Sequence, residues 1–237
     1  MDPKFLYEAL LTILPGVPLT LKLAATSVAL GALIALPLAM MRLSNIAALD
    51  WISRTYTFIF RSTPLLVQIF IIYYGLGQFR AVRTSMLWPL LREPYWCAII
   101  ALTLNTAAYA SEIIRGGLTS VPHGQIEAAR AVGMNRFTAF RRIIVPQAIS
   151  QALPGYGNEL ILMVKATSLA SIITMMEITG LAAKMISETY RAIEVFIVAG
   201  AVYLVINFIL TRLLLVAERA VNPHLRPHQD AVPGAVR

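Results

Sequence analysis

"GQIEAARAVGMNRFTAFRRIIVP", residues 124–146, lies between long apolar runs and carries one Glu, four Arg and two stripes of apolar residues. It is too charged to cross a bilayer and too regularly patterned for a slack loop. Pro122 suits the first turn of a helix, and from Gln125 onward Ile126, Ala129 and Gly133 fall at i, i+3 and i+7 on one small or apolar face. Gly133 suits the left-handed residue that ends a helix. Asn135 is then an N-cap for a second helix, in which Phe137, Phe140 and Ile144 repeat at the same spacing. Pro146 precedes the next apolar run. The stretch predicts two short helices joined by a tight turn, with an aromatic face exposed to something.

The surroundings say where such an element could sit. The chain has 237 residues, 58% of them hydrophobic and 14% charged, and a mean hydropathy of +0.70. That balance lies outside the range of soluble domains and points to a membrane protein. The net charge of +8 is spread between apolar runs rather than gathered on one helical face, which argues against a nucleic-acid-binding protein. Cys97, in an apolar run and without a partner in the chain, reads as a buried small hydrophobe. The first 18 residues lack a basic start and a small-residue cleavage pattern, and are expected to be mature protein.

A helix needs about 20 apolar residues to cross a hydrocarbon core about 30 Å thick. Five stretches qualify: Leu19–Met41, Tyr56–Leu76, Tyr95–Ile113, Tyr156–Ile178 and Val195–Ala217. The second is the least regular, because Arg61-Ser62-Thr63-Pro64 interrupts it and Pro64 frees backbone groups that protein or water must satisfy. Five spans put the termini on opposite sides. With an external amino terminus, twelve Lys and Arg fall in inner segments and six in outer ones, so the positive-inside rule makes residues 124–146 cytoplasmic. Residues 221–237 read as a short polar, Pro-rich cytoplasmic tail. Its His224 and His228 are separated by Pro227 from a shared helix face, and a metal site is not expected there.

Periodicity alone leaves two readings of residues 124–146: a helix pair lying on the inner leaflet, with Arg on phospholipid, or a docking element for another protein. The small residues Ala128 and Ala129 beside Gly133 favour docking, since they allow close backbone approach and offer lipid little. Glu127-Ala128-Ala129, then Gly133, Ile143 and Val145-Pro146 in this order resemble the EAA loop of ABC-importer membrane subunits, with Val145 where Leu is usual. "FRSTPLLVQIF" from Phe60, "LNTAAYASEIIRGGLTSVPHGQ" from Leu104 and "NELILMVKATSLASI" from Asn158 look like the polar amino acid permeases, in particular those for histidine, lysine, arginine or opines. The similar segments run from about residue 20 to 215, and Ser62 stands where Gly is common.

The resemblance implies an all-α polytopic protein of type I ABC importer architecture, with a transmembrane domain over 1–220, a coupling loop at 114–147 and the tail beyond. It implies docking of the loop in a groove of an ATPase subunit, with Glu127 and Gly133 fixing its shape and Phe137 and Phe140 as candidate contacts. Partners would be two ATP-binding subunits, a periplasmic amino-acid-binding protein, and a second permease, homologous or identical. The expected location is the bacterial inner membrane, in contact with lipid. No cofactor is expected in this chain, because G-x-x-x-x-G-K-[ST] is absent and ATP would belong to the partner. H-E-x-x-H and G-x-S-x-G are absent too, and an enzyme is not expected.

Ionisable residues within a span are functional hypotheses by default. Lys22, near the outer end of the first span, is expected to snorkel. Lys165, about nine residues past Tyr156, would sit roughly 13 Å along a helix, near mid-bilayer. It could hold a carboxylate or carbonyls at a helix interface, or meet a substrate carboxylate. Glu159 lies six positions earlier and cannot form an i, i+4 pair with it. Thr167 and Ser168 suit helix packing or hydrogen bonds back to their own backbone better than substrate contact, and Asn105 and Gln68 could serve a substrate or glue helices. By resemblance the fourth span lines the central path, which favours Glu159 and Lys165. The rival functions are an ion-driven secondary transporter, for which an internal repeat of spans would speak, and a lipid-binding scaffold.

Overall fold

The computed structural model describes residues 2–221, and among these there is no β-strand. Residues 222–237, with His224 and His228, lie outside the described residues.

Asp2 caps α1 (Pro3–Ile13), its carboxylate accepting from the Lys4 N–H at 3.0 Å while Pro3 occupies the first turn. A 3₁₀ turn at Leu14–Gly16 carries the chain into α2 (Val17–Arg42), so that Pro3–Arg42 forms one helical rod of 40 residues. The first helix therefore starts well before the expected Leu19.

The expected second span, Tyr56–Leu76, is not one helix. α3 (Ala47–Ser62) stops before Pro64, and α4 (Leu65–Phe70) leaves at 102° with a π turn at Ile71–Gly75 behind it. The cause is local: Thr63, preceding proline, is pushed to extended backbone at φ −107°, ψ 143°. Two short helices, α5 (Arg80–Arg83) and α6 (Trp88–Leu91), lead to α7 (Pro94–Thr119), a helix of 26 residues.

After α8 (His123–Ala131) and α9 (Arg136–Ala139), a π turn at Phe140–Ile144 runs into α10 (Val145–Ala166) and a 3₁₀ stretch at Thr167–Ile173. The expected second short helix is thus the first turn of a continuous rod, Arg136–Ile173. Pro146, which has no N–H to donate, falls directly after the wider i→i+5 turn, in the first turn of α10, and does not break the rod. α11 (Ile178–Thr189) follows at 45°, and α12 (Ala192–Val221) completes the described chain.

α7 lies at the centre, with its long faces against α2 and α10. Ala98, Ala101, Ala107, Ala108 and Ala110 are buried on it and let neighbouring backbones come close. At Gly117 a Cβ would stand 2.6 Å from the Ala148 carbonyl oxygen, so this crossing of α7 and α10 requires glycine. Cys97 is buried, as expected, with its thiol on the Leu91 carbonyl at 3.0 Å. A second cluster joins Phe5, Ala9 and Ile13 of α1 to Ile178 and Met185 of α11 and Val195 and Val202 of α12.

Outward faces remain strongly apolar. On α12, Leu204, Val205, Phe208, Ile209 and Leu213 are all at least half exposed, a surface suited to lipid or to a neighbouring subunit. Three described helices, Pro3–Arg42, Pro94–Thr119 and Ala192–Val221, are each long and apolar enough to cross a membrane. The pairs broken at Thr63–Pro64 and after Ile173 meet the combined length and composition requirement only jointly, so the count is three, or up to five if each bent pair is one span.

Candidate functional site

The element at residues 123–144 is built by its caps. α8 ends in a Schellman arrangement, in which the Met134 N–H bonds the Ala129 carbonyl at 3.0 Å and the Gly133 N–H bonds the Arg130 carbonyl at 2.9 Å. Gly133 takes φ +79°, the left-handed conformation this motif needs. The Asn135 side chain accepts from the Thr138 N–H at 2.8 Å and opens α9. Gly133 and Asn135 thus serve as their positions suggested.

α8 packs on α9 and on the π turn, with Ala129 and Ala139 buried in that contact region at 4% and 5% exposure. Glu127 and Ala128 are exposed. The two phenylalanines separate. Phe140, 37% exposed, lines an apolar cavity of about 420 Å³ with Leu36 of α2, Ile114 and Leu118 of α7 and Ile149 of α10. Phe137 is 72% exposed, as is Val132 beside the helix end. Val132 escaped sequence reasoning because it falls off the Ile126–Ala129 stripe. What the arrangement offers mechanically is a small exposed platform joined by a hydrogen-bonded turn at residues 132–135 to the rod Arg136–Ile173.

Among the interior polar residues, Glu159 and Lys165 part company as their spacing suggested. Glu159 is buried at 6% and accepts the Thr106 hydroxyl at 2.7 Å, tying α10 to α7. Lys165 is exposed, in the last α-helical turn of α10 before the 3₁₀ stretch. Since α10 begins at Val145 and not at Tyr156, residue counting from Tyr156 does not set the depth of Lys165. Thr167 and Ser168 return hydrogen bonds to their own helix, at Val164 and Lys165 carbonyls, both 2.7 Å. The ammonium of Lys22 lies 5.1 Å from the centre of the Tyr95 ring.

Asn105 and Gln68 bond each other at 3.1 Å and close on the break at Pro64. Gln68 Nε2 donates to the Phe60 carbonyl, the Thr63 carbonyl and the Thr63 hydroxyl at 2.9, 3.2 and 2.8 Å, and Asn105 Nδ2 reaches the Phe60 carbonyl at 3.2 Å. Their amides are spent on helix-end carbonyls. Two further polar clusters were not visible in the sequence. Buried Glu177 caps α11 through the Gly180 N–H at 2.8 Å and accepts the Tyr203 hydroxyl of α12 at 2.7 Å. Arg42, at the end of α2, pairs with Asp50 at 3.7 Å and Glu112 at 3.4 Å, while Arg54 and Arg115 pair with those acids in turn. Both clusters join residues far apart in the chain, so no local pattern announces them.

Comparison with known proteins places this arrangement. The chain is similar to the octopine transport system permease protein OccM of Rhizobium meliloti, 63% identical over 225 residues that cover 95% of this chain and 92% of that one. Similarity to the nopaline transport system permease protein NocM of Agrobacterium fabrum is 56% over 227 residues, 95% and 94% of the two chains. The histidine/lysine/arginine/ornithine transport system permease protein HisM of Escherichia coli K12 is 40% identical over 213 residues, 90% of each. A solved amino acid ABC transporter crystallised with histidines superposes with a TM-score of 0.83 at 35% identity, covering 93% of this chain and 99% of that one. An inward-facing MetNI methionine ABC transporter, 19% identical, shares the fold with a TM-score of 0.71 over 93% and 99%. With the family profile matching residues 27–223, the chain belongs to the binding-protein-dependent transport system inner membrane components.

Proposed function

We propose that this chain is the permease subunit of an ATP-driven importer whose substrates are opines of the octopine and nopaline kind, with basic amino acids as the related class. The observation that carries the reading is the exposed α8 platform, joined through the turn at Gly133 to the rod Arg136–Ile173. Such a part converts a push from another chain into movement of an apolar helix. The 63% identity to an octopine permease favours the opine class over histidine or lysine.

In this reading each bent pair is one span, which makes five, with the amino terminus periplasmic and α8 cytoplasmic. Two permeases pair across a pseudo-twofold axis, two ATPase subunits sit beneath them, and a soluble binding protein delivers substrate from above. ATP binds to the partner subunits only. Closure of the ATPases moves the two platforms, and the rods switch the cavity between outward and inward access, so that the substrate crosses chemically unchanged. Lys165 is the residue we assign to the substrate carboxylate. Among the described residues it makes no ion pair, and an exposed ammonium on an apolar helix bundle needs water or a polar partner rather than lipid.

The test is uptake in a strain lacking this chain but retaining the other components. Complementation should restore energy-dependent octopine uptake, and labelled histidine or lysine should compete weakly. Restoration of histidine uptake alone would transfer the substrate assignment to the basic amino acids. Uptake that persists without the ATPase subunits would support the secondary transporter.

A further inference from the structure

α2, α3 and α7 border an open groove of about 470 Å³, within the roughly 300–1,000 Å³ of small-molecule sites. Its wall mixes polar side chains with Phe58. Arg42, Arg54 and Arg61 converge on it with Thr57, Tyr109 and Glu112. Cavities elsewhere differ: about 670 Å³ between α1 and α12 is lined by aliphatic side chains and Tyr7, and the space at Phe140 is apolar too.

Three guanidinium groups face one carboxylate on this wall. Neighbouring Asp50 and Arg115 do not change the sign, because Asp50 binds Arg54 at 2.7 Å and Arg115 binds Glu112 at 2.8 Å. Donor capacity is left over. Arg42 Nε is buried without a hydrogen-bond partner, and Arg61 makes no ion pair among the described residues. The Arg61 guanidinium lies 5.2 Å from the centre of the Tyr109 ring, which supports its face and leaves its N–H edges open. Planar forks of this kind recognise carboxylates in bidentate fashion. Glu112 is already engaged, with Oε1 3.4 Å from Arg42 Nη2 and Oε2 accepting from Arg115 at 2.8 Å, and it sets the positions of the two guanidiniums.

We propose that this cavity is an exit-side binding site for ligands with more than one carboxylate, the imported opine among them. Arg42, Arg54 and Arg61 hold the carboxylates, and Glu112 positions Arg42. The site rests on the proposed orientation and substrate class, since it is cytoplasmic only if α8 is. A ligand with a single carboxylate uses fewer of the three forks and binds more weakly, so the cavity retains opine in preference to the parent amino acid.

The test uses the assembled transporter in phosphatidylcholine nanodiscs without the binding protein, treated with phenylglyoxal and mapped by mass spectrometry. Octopine should slow modification of Arg54 and Arg61 severalfold while leaving Arg130 and Arg136 unaffected, and L-arginine should protect less. Arg61→Gln should weaken octopine protection at Arg54 on the order of tenfold, the scale of one charge-assisted hydrogen bond, and Arg61→Lys should weaken it partly. Co-purification with the ATPase should persist in both variants. If octopine is transported but Arg54 and Arg61 react equally with and without it, the site is refuted. Protection that appears with phosphatidylglycerol nanodiscs and not with octopine would assign the cavity to a lipid phosphate instead. Protection by octopine in a complex that does not transport it would uphold the site and remove the proposed substrate.

Discussion

Thr106 of α7 donates its hydroxyl to Glu159 of α10 at 2.7 Å, with the two residues 1% and 6% exposed. This bond joins two helices that also meet through Gly117, and it makes Glu159 part of the helix pairing. Thr106→Val removes the donor and leaves a buried carboxyl oxygen unmet, at a cost of about 1–3 kcal/mol. The assembled transporter should melt earlier by that amount in nanodiscs. Glu159→Gln keeps an acceptor oxygen and should keep both stability and uptake near wild type. Loss of uptake at unchanged stability in Glu159→Gln would move this residue to the substrate path.

Gly133 stands at φ +79° with no heavy atom within 4 Å of a Cβ built there. Its requirement is conformational, so Gly133→Asn should be tolerated better than Gly133→Ala, which costs about 1 kcal/mol. Gly133→Pro cannot adopt a positive φ and loses the N–H that bonds the Arg130 carbonyl. Membrane insertion should survive it, while ATP-dependent uptake and ATPase co-purification fall away.

Phe137 and Phe140 make a paired test of which face of the element meets the ATPase. Phe137→Asp alters a side chain that is 72% exposed and should sharply weaken ATPase co-purification while thermal stability changes by no more than about 0.5 kcal/mol, as for surface positions. Phe140→Asp places a charge in the apolar cavity of this chain and should lower stability first. The reverse pattern would mean that Phe140 carries the docking face.

Gly117 and Gly116 are adjacent on α7 but differ in surroundings. A Cβ at Gly117 meets the Ala148 carbonyl oxygen at 2.6 Å and Ala152 Cβ at 2.9 Å, whereas at Gly116 nothing lies within 4 Å. Gly117→Ala should destabilise by about 1–3 kcal/mol, as overpacking does. Gly116→Ala should be neutral or slightly stabilising through helix propensity. Thermal unfolding of the two variants side by side checks the packing of α7 against α10.

The all-helical class, the turn at Gly133 and the cap at Asn135 were legible because each rests on local physics: composition, a positive φ and a short side-chain bond to backbone. The break at Pro64 was visible as an interruption, but its 102° bend was not, since the angle depends on how Gln68 and Asn105 tie down the freed carbonyls. The rod Arg136–Ile173 was read as two pieces because charged Arg141 and Arg142 and Pro146 separate the Phe137–Ile144 stripe from the next apolar run, and the π turn at Phe140–Ile144 that joins them has no local sequence signature. The helical extension to Pro3 stayed hidden as well, because charges at Lys4 and Glu8 dilute its apolar face, whose partners lie in α11 and α12. Arg42 with Glu112, and Glu177 with Tyr203, pair across long separations in sequence that no periodicity encodes.

The central claim is that ATP hydrolysed by a partner drives substrate through this chain by way of the α8 platform. The most direct measurement is octopine accumulation in proteoliposomes holding the complete transporter, with binding protein inside the assay and ATP on the ATPase side, for wild type and Glu127→Lys. Wild type should accumulate octopine only with ATP, and Glu127→Lys should insert and assemble in the membrane yet lose ATP-dependent accumulation. Normal ATP-dependent accumulation by Glu127→Lys, or accumulation by wild type without ATP, would contradict the account.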